Sequence, residues 1–411
     1  MKILAVATAA EAQRFVKGYP PKGARLLLTP DSEISRLATL AFNDTFVYID
    51  DRVEPAEPDS VFDLVLVRVD FNHEESARLI VEKLGEIGKP AVLFGPQVTL
   101  WKETAPEWAT HRVIGDITNV WGKIRSDAEK KCLQPVYISP PVPNYIVPHS
   151  GLGKPLLMNT NYQAIYFVRG CTCPEEVKSL CPEFLYYQEN CLKRSKEEIL
   201  GEVLSLPKKH IHLLDEDIAR YPDFYYEMFR LVWGYRRHWT VNASDRIFDY
   251  PNLIRLIAKA GTKIIFLNES FLGPRLEQAL RDESVAKWLY RRVKLLQSRR
   301  LLVGTRLTLP AAGANYTKIA GLLRRVDLDF LEVRFTENSQ NGKKRILPIT
   351  YHTQLQADEP AWVKGQFYAM DALLDRFSRR PRRVGFYSTG WYLIPYSLAY
   401  RQNFLEGLPY P

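Results

Sequence analysis

The chain has 411 residues, 46% hydrophobic and 25% charged, the composition of an ordinary globular protein with room for two or three domains. A disordered chain and a single small module are excluded, and no apolar run approaches the ~20 residues of a membrane span. Lys and Arg number 56 against 47 Asp and Glu, a net +9, spread along the chain. Clusters at Arg291, Arg292, Lys294, Arg299 and Arg300, and at Arg376, Arg379, Arg380, Arg382 and Arg383, read as solvated helix faces, so no nucleic-acid partner is expected.

The opening MKILAVATAAEAQRF has one Lys before a short apolar stretch, better explained as a strand than as a signal peptide, so a cytoplasmic protein is expected. Apolar strand-like runs succeed it at Lys2 to Thr8, Arg25 to Leu28, Thr45 to Ile49, Leu64 to Val69 and Pro90 to Phe94. Between the last two, Ala77, Ile80, Val81, Leu84 and Ile87 fall at helical spacing and Gly88 ends the helix. This alternation predicts a Rossmann-like parallel sheet over residues 1–140. Ligands then belong at the carboxyl ends of the strands, where the turn Gly95-Pro96-Gln97-Val98-Thr99 stands.

Pro135, Pro140, Pro141, Pro143 and Pro148 mark a linker, placed at 141–161. From 162 to 345 the alternation returns, with strands at Ala164 to Val168, His210 to Leu214, Trp239 to Ala243, Lys263 to Leu267, Leu301 to Leu307 and Leu328 to Arg334. Ser195 with Glu198 matches a capping box at the head of one intervening helix. Six strand-then-helix units predict a partial (β/α)6 barrel with its site at the carboxyl ends. Residues 346–411 are basic and aromatic and read as a C-terminal lid or packing extension.

Four of the five cysteines, Cys171, Cys173, Cys181 and Cys191, fall within 21 residues, and only Cys132 stands apart. Without a secretory signal this clustering favours metal or Fe–S ligation over structural disulfides. A zinc site and a redox disulfide remain open on spacing alone.

Several stretches, in one order, resemble the cobalamin-binding radical SAM enzymes. VLFGPQVTL is similar to that family's GGPHVT segment, VIGDITNVW to its VVGEAE-xx-W segment and FVRGC to its TRGCPxxCxxC loop. HIHLLDEDIARYPDFYYEMF, WTVNASDRIFDYPNLIRLIAKAG and IIFLNES resemble its second, third and fourth barrel strands, each with the segment after it. The likeness covers roughly residues 60 to 335. It implies an α/β chain with an N-terminal Rossmann-like B12-binding-type domain, a radical-SAM-type partial barrel and a short C-terminal extension.

It further implies a [4Fe-4S] cluster, S-adenosylmethionine and cobalamin as cofactors, with Cys171, Cys181, Cys173 and Cys191 as the candidate cluster ligands. The family's Cys-x3-Cys-x2-Cys spacing is not kept, since its offsets from Cys171 carry Glu175 and Lys178. A nine-residue gap from Cys171 to Cys181 would take its place, with Cys173 and Cys191 competing for the third position. The Asp-x-His-x-x-Gly element that ligates cobalt is absent, so the resemblance leaves two readings, cobalamin contacted through the backbone at Gly95, Pro96, Val98 and Thr99, or the domain kept as a scaffold. For S-adenosylmethionine the candidates at strand ends are Asp215, Glu216, Asn242, Ser244, Glu269 and Arg306, with Asp217 beside them.

The activity implied is modification, methylation above all, of an unactivated centre in a small-molecule substrate of unknown class, with a flavodoxin or ferredoxin as reductant. The other reading keeps the scaffold without the cluster, as a partner subunit of a cluster-bearing radical SAM relative.

Overall fold

Lys2–Ala7 (β1) carries Ile3, Leu4, Ala5 and Val6 with no exposure at all, because helices cover both faces of the sheet it enters. The computed structural model describes residues 1–9, 31–51, 56–57, 60–71, 73–147, 162–171, 181–206, 209–310, 315–338, 344–346, 367–380 and 384–405. The predicted strand Arg25 to Leu28, Cys173 and most of 346–366 lie outside them. By contact the chain forms two compact units. One holds the described residues up to 147 together with Val168–Arg194, and the other holds 162–167 and the described residues from Ser195 onward. The cysteine segment, assigned from the sequence to the barrel, therefore packs with the N-terminal unit.

In the first unit, the described strands β1, Thr45–Asp50 (β2), Leu64–Arg68 (β3), Ala91–Phe94 (β4), Arg112–Ile114 (β5) and Val136–Ile138 (β6) form a parallel sheet in the order β2-β1-β3-β4-β5-β6. This is the doubly wound order whose switch point lies between β1 and β3. β5 and β6 were not read from the sequence. Ser32–Leu40 (α1), opened by the Asp31 side chain on the Glu33 and Ile34 amides, packs Ile34 and Leu37 on one face with Trp121 and Ile124 of Trp121–Glu129 (α4). Glu74–Glu86 (α2) packs Ala77, Ile80 and Leu84 on the other face. Pro96–Trp101 (α3) comes directly after β4.

The same unit contains Val168–Arg169 (β8), paired antiparallel with Leu192–Lys193 (β9), and the helix Pro182–Tyr187 (α5) between them. α3 packs against α5.

In the second unit, Tyr162–Ile165 (β7), His210–Leu213 (β10), His238–Ala243 (β11), Thr262–Leu267 (β12), Leu302–Pro310 (β13) and Phe330–Asn338 (β14) are parallel and adjacent in chain order, and Lys344–Ile346 (β15) pairs antiparallel with β14. These six parallel strands are the expected partial barrel, with Lys196–Ser205 (α6), Pro222–Val232 (α7), Pro251–Lys259 (α8), Glu269–Leu272 (α9), Leu276–Arg281 (α10), Glu283–Gln297 (α11) and Tyr316–Val326 (α12) between them. The Ser195–Glu198 capping box opens α6.

The C-terminal residues pack within this unit. Tyr368 Oη donates to the Leu331 carbonyl at 3.0 Å and accepts its amide at 2.9 Å, on a stretch of β14 that β15 does not reach. Met370–Arg379 (α13) and Ile394–Leu405 (α15), with the short Phe386–Ser388 (α14) between them, complete the chain. Arg376 and Arg380 are not on a solvated face as the charge pattern suggested. They are 5% and 0% exposed, and Arg380 pairs with Asp329 and donates to Asp327 Oδ1 at 2.9 Å. A fully buried guanidinium requires such carboxylates.

Candidate functional site

The chemistry-bearing residues fall in two places, one in each unit. In the first, Cys171 and Cys181, 4% and 8% exposed, pack together against Phe184. Cys191 donates its S–H to the Cys171 carbonyl at 3.5 Å, and all three are thiols. Cys191 comes this close because β8 and β9 pair and because residue 170 is Gly. Its φ is +105°, and a Cβ there would overlap the Asn190 carbonyl and stand 3.1 Å from Cys191 Sγ. Among the described residues no three His, Cys, Asp or Glu side chains stand close enough together to hold a metal ion.

Around the thiols lies a buried charge network. Glu183 Oε2 accepts the Gly170 amide at 2.9 Å, and its Oε1 lies 2.8 Å from Arg169 Nη1 in an ion pair. Arg169 Nη2 donates to Tyr187 Oη at 2.9 Å, and Tyr187 in turn donates to Asp116 Oδ2, on which Arg36 Nη1 also sits at 2.8 Å. Burial opposes the charge on Asp116, but Arg36, Arg169 and the hydrogen bonds from Tyr187 and Arg36 hold its carboxyl well below the usual range. Next to it, Glu33 Oε2 accepts from Tyr186 Oη at 3.1 Å, and its Oε1 has no hydrogen-bond partner among the described residues. Burial, reinforced by the Asp116 charge, pushes Glu33 up to about 8, so this carboxyl is protonated at neutral pH.

The expected turn Gly95–Thr99 is instead the N-cap Gly95 and the first turn of α3, and it stands in the same unit. Gly95 has φ +113°, and a Cβ there would lie 2.6 Å from the Val69 carbonyl oxygen. Val98 is a fully buried member of the core under α2, and the Thr99 hydroxyl donates to the Gly95 carbonyl at 3.1 Å and accepts the Gly115 amide at 3.0 Å. Pro96, Val98 and Thr99 thus spend their side chains on the fold.

The second place is the carboxyl end of the barrel strands. Asp215 is engaged within the fold. Its two oxygens accept the Phe167 amide at 3.0 and 3.2 Å, and Oδ2 accepts from Tyr225 Oη at 2.6 Å. Asp217 Oδ1 accepts the amides of Ala219 and Ser244, each at 2.8 Å, and burial raises its pKa despite them. Glu216 and Arg306, both predicted for the site, pair with each other at 2.7 Å. Arg306 Nε also meets Glu332 Oε2 at 2.8 Å, and Tyr400 donates to the other oxygen of Glu332 at 3.0 Å. Glu269 accepts from Thr308.

Several buried polar atoms at adjoining strand ends, Ser244 Oγ and two on asparagines, have no hydrogen-bond partner among the described residues. The asparagine atoms are Asn242 Oδ1, on a side chain whose Nδ2 is held by the Leu213 and Asp215 carbonyls, and Asn268 Nδ2. Such atoms are costly unless something else satisfies them. Asn242 was read from the sequence and Asn268, one residue before Glu269, was not. Glu183, Tyr187 and Asp116 were also missed as parts of a site. Only their distance in sequence from Arg169 hid them.

No family model matches the chain. It is 21% identical over 273 residues to the bacteriochlorophyllide d C-12(1)-methyltransferase of Chlorobaculum tepidum, a match covering 61% of this chain and 57% of that protein. The chain thus spans less than two thirds of that relative's length. The radical S-adenosylmethionine methyltransferase TsrM of Kitasatospora setae, solved with cobalamin and a [4Fe-4S] cluster bound, superposes with a TM-score of 0.55 at 13% identity, over 82% of this chain and 76% of that one. OxsB, a cobalamin-dependent S-adenosylmethionine radical enzyme solved with aqua-cobalamin bound, gives 0.55 at 11% identity, over 79% and 52%. The fold is that of the cobalamin-dependent radical SAM enzymes. In this fold Cys171 and Cys181 pack side by side and Cys191 meets the Cys171 carbonyl, while Glu175 and Lys178, at the family's usual ligand offsets, lie outside the described residues.

Proposed function

We propose that the chain is a radical SAM-type enzyme that holds a [4Fe-4S] cluster on Cys171, Cys181 and a third thiolate, Cys191 or Cys173, and modifies an unactivated centre of a small-molecule substrate. What supports this reading is that Cys171 and Cys181 are buried side by side against Phe184, with Cys191 on the Cys171 carbonyl, despite their irregular spacing. Soft thiolates are the donors such a cluster takes. When bound, the cluster supplies one electron for reductive cleavage of S-adenosylmethionine. The names of the relatives favour methyl transfer as the reaction type.

The chain's own residues supply position and shielding. Burial of Cys171 and Cys181 beside Phe184 keeps water from the thiols. Asn242 Oδ1 and Asn268 Nδ2 offer one acceptor and one donor to a polar ligand at the barrel strand ends. Arg306, saturated by Glu216 and Glu332, is held in place as a cation whose more exposed partner, Glu216, a carboxylate ligand would displace. The side chains of Pro96, Val98 and Thr99 offer cobalamin no polar atom that is not already engaged, so cobalamin would be met there only by the backbone of residues 95–99. The one-electron donor would be a flavodoxin- or ferredoxin-type protein.

Anaerobic reconstitution with iron and sulfide tests the reading. Wild type should take up about four iron per chain and turn brown. Cys171→Ala and Cys181→Ala should abolish loading, and Cys132→Ala, at an exposed thiol, should leave it intact. A wild-type chain that never takes up iron overturns the enzyme reading in favour of a cluster-free partner subunit.

A further inference from the structure

Nine residues separate Cys171 from Cys181 in the sequence, and bringing two such points together costs chain entropy. The described residues flanking that gap are tied to each other by side chains. Glu183, two residues beyond Cys181, uses both carboxylate oxygens on the residues just before Cys171, Oε2 on the Gly170 amide at 2.9 Å and Oε1 on Arg169 Nη1 at 2.8 Å. One turn along α5 from Glu183, Tyr187 Oη takes Arg169 Nη2 at 2.9 Å and passes the contact to Asp116, where Arg36 completes it. Arg36, Asp116, Arg169 and Tyr187 are 3%, 0%, 1% and 0% exposed. Water therefore does not compete for the Arg169–Tyr187–Asp116–Arg36 contacts, where charge-assisted bonds are strong, whereas Glu183, 17% exposed, meets Arg169 as an ion pair at the edge of the buried network.

We propose that Glu183 and Arg169 form a clasp that sets the Cys171–Cys181 separation before any metal arrives, with Tyr187, Asp116 and Arg36 as its anchor in the N-terminal unit. The clasp explains how an irregular cysteine spacing presents two thiols side by side. Glu183, Arg169 and Tyr187 are positioning residues, since none of them offers a soft ligand. The site so prepared is a preorganised dithiol for thiophilic metals and metalloids. It deepens the cluster reading but does not depend on it.

The test uses dibromobimane, which becomes fluorescent when two neighbouring thiolates displace its two bromides, on the full-length apo chain with Cys132, Cys173 and Cys191 replaced by Ala. The parent should bridge Cys171 to Cys181. Glu183→Ala should lower the bridging rate about ten-fold and Tyr187→Phe less, because each frees one flank of that gap. Glu183→Gln, which keeps an acceptor for the Gly170 amide, should recover most of the loss, a rescue that a merely structural side chain would not show. Bridging in Glu183→Ala at the parental rate overturns the clasp. Should that variant not fold, Arg169→Lys decides, since one ammonium cannot serve Glu183 and Tyr187 as the planar guanidinium does, and parental bridging there overturns the proposal equally. Rapid bridging in a chain that never loads iron would uphold the clasp while removing the enzyme reading.

Discussion

Replacing Asp215 with Ala tests whether this carboxylate builds the barrel rather than binding a ligand. Asp215 is 3% exposed and accepts two buried donors, the Phe167 amide at 3.0 Å and Tyr225 Oη at 2.6 Å. Phe167 is fully buried, packed between Tyr225, Phe229 and Trp239, with ring centroids 6.4, 6.1 and 5.8 Å away, so no water reaches its amide in the folded state. Each orphaned donor costs about 1–3 kcal/mol, giving roughly 2–6 kcal/mol for the variant, less what is regained by no longer burying a carboxylate. Amide hydrogen exchange followed by mass spectrometry reads this where it acts. Protection of the peptide containing Phe167 should drop by roughly 30-fold or more, the equivalent of about 2 kcal/mol. Asp215→Asn, which keeps an acceptor oxygen, should lose much less. Exchange in Asp215→Ala within about three-fold of wild type would refute the structural assignment and return Asp215 to the candidate ligand contacts.

Three further outcomes rest on buried groups. Glu33 is raised to about 8 by burial, so the folded chain keeps a proton that the unfolded chain releases near pH 4.3; its contribution is fully present below about 4.3 and is lost as pH rises through about 8. Glu33→Gln should therefore hold its thermal midpoint between pH 6 and 8 while wild type declines, and parallel curves would show Glu33 to be ionised at no cost. His210 and His238, which bond Tyr396 and Tyr392, are lowered to about 3 and about 4, mainly by burial with Lys263 adding to it. Their contribution is present above the unfolded value near 6.5 and is lost as pH falls through the folded values, so the midpoint should fall below pH 6.5, and less steeply in a His210→Gln chain. Gly95→Ala, with its Cβ 2.6 Å from the Val69 oxygen at φ +113°, should destabilise the N-terminal unit by about 1–3 kcal/mol in denaturant titration. An unchanged midpoint would mean the turn can relax.

The alternation of short apolar runs with helical ones was enough to announce two α/β units, because strands buried on both faces cannot hide their composition. The capping box at Ser195 and the six barrel strands in chain order were equally plain. β5 and β6 escaped because three residues carry no period, and the order β2-β1-β3-β4-β5-β6 is written in no local pattern. The cysteines were visible as a cluster, yet their spacing alone argued against their acting together. What joins them is a glutamate beyond the loop, an arginine before it and an aspartate 53 residues upstream of that arginine. The same holds for the residues at the strand ends. Sequence could mark Asp215, Asn242 and Thr99 as polar groups at ligand-facing positions, but whether such a group is spent inside the fold or left with an open valence depends on which backbone amides and hydroxyls the tertiary structure brings within 3 Å. A polar side chain's vacancy is a property of its neighbours, and those neighbours are distant in sequence.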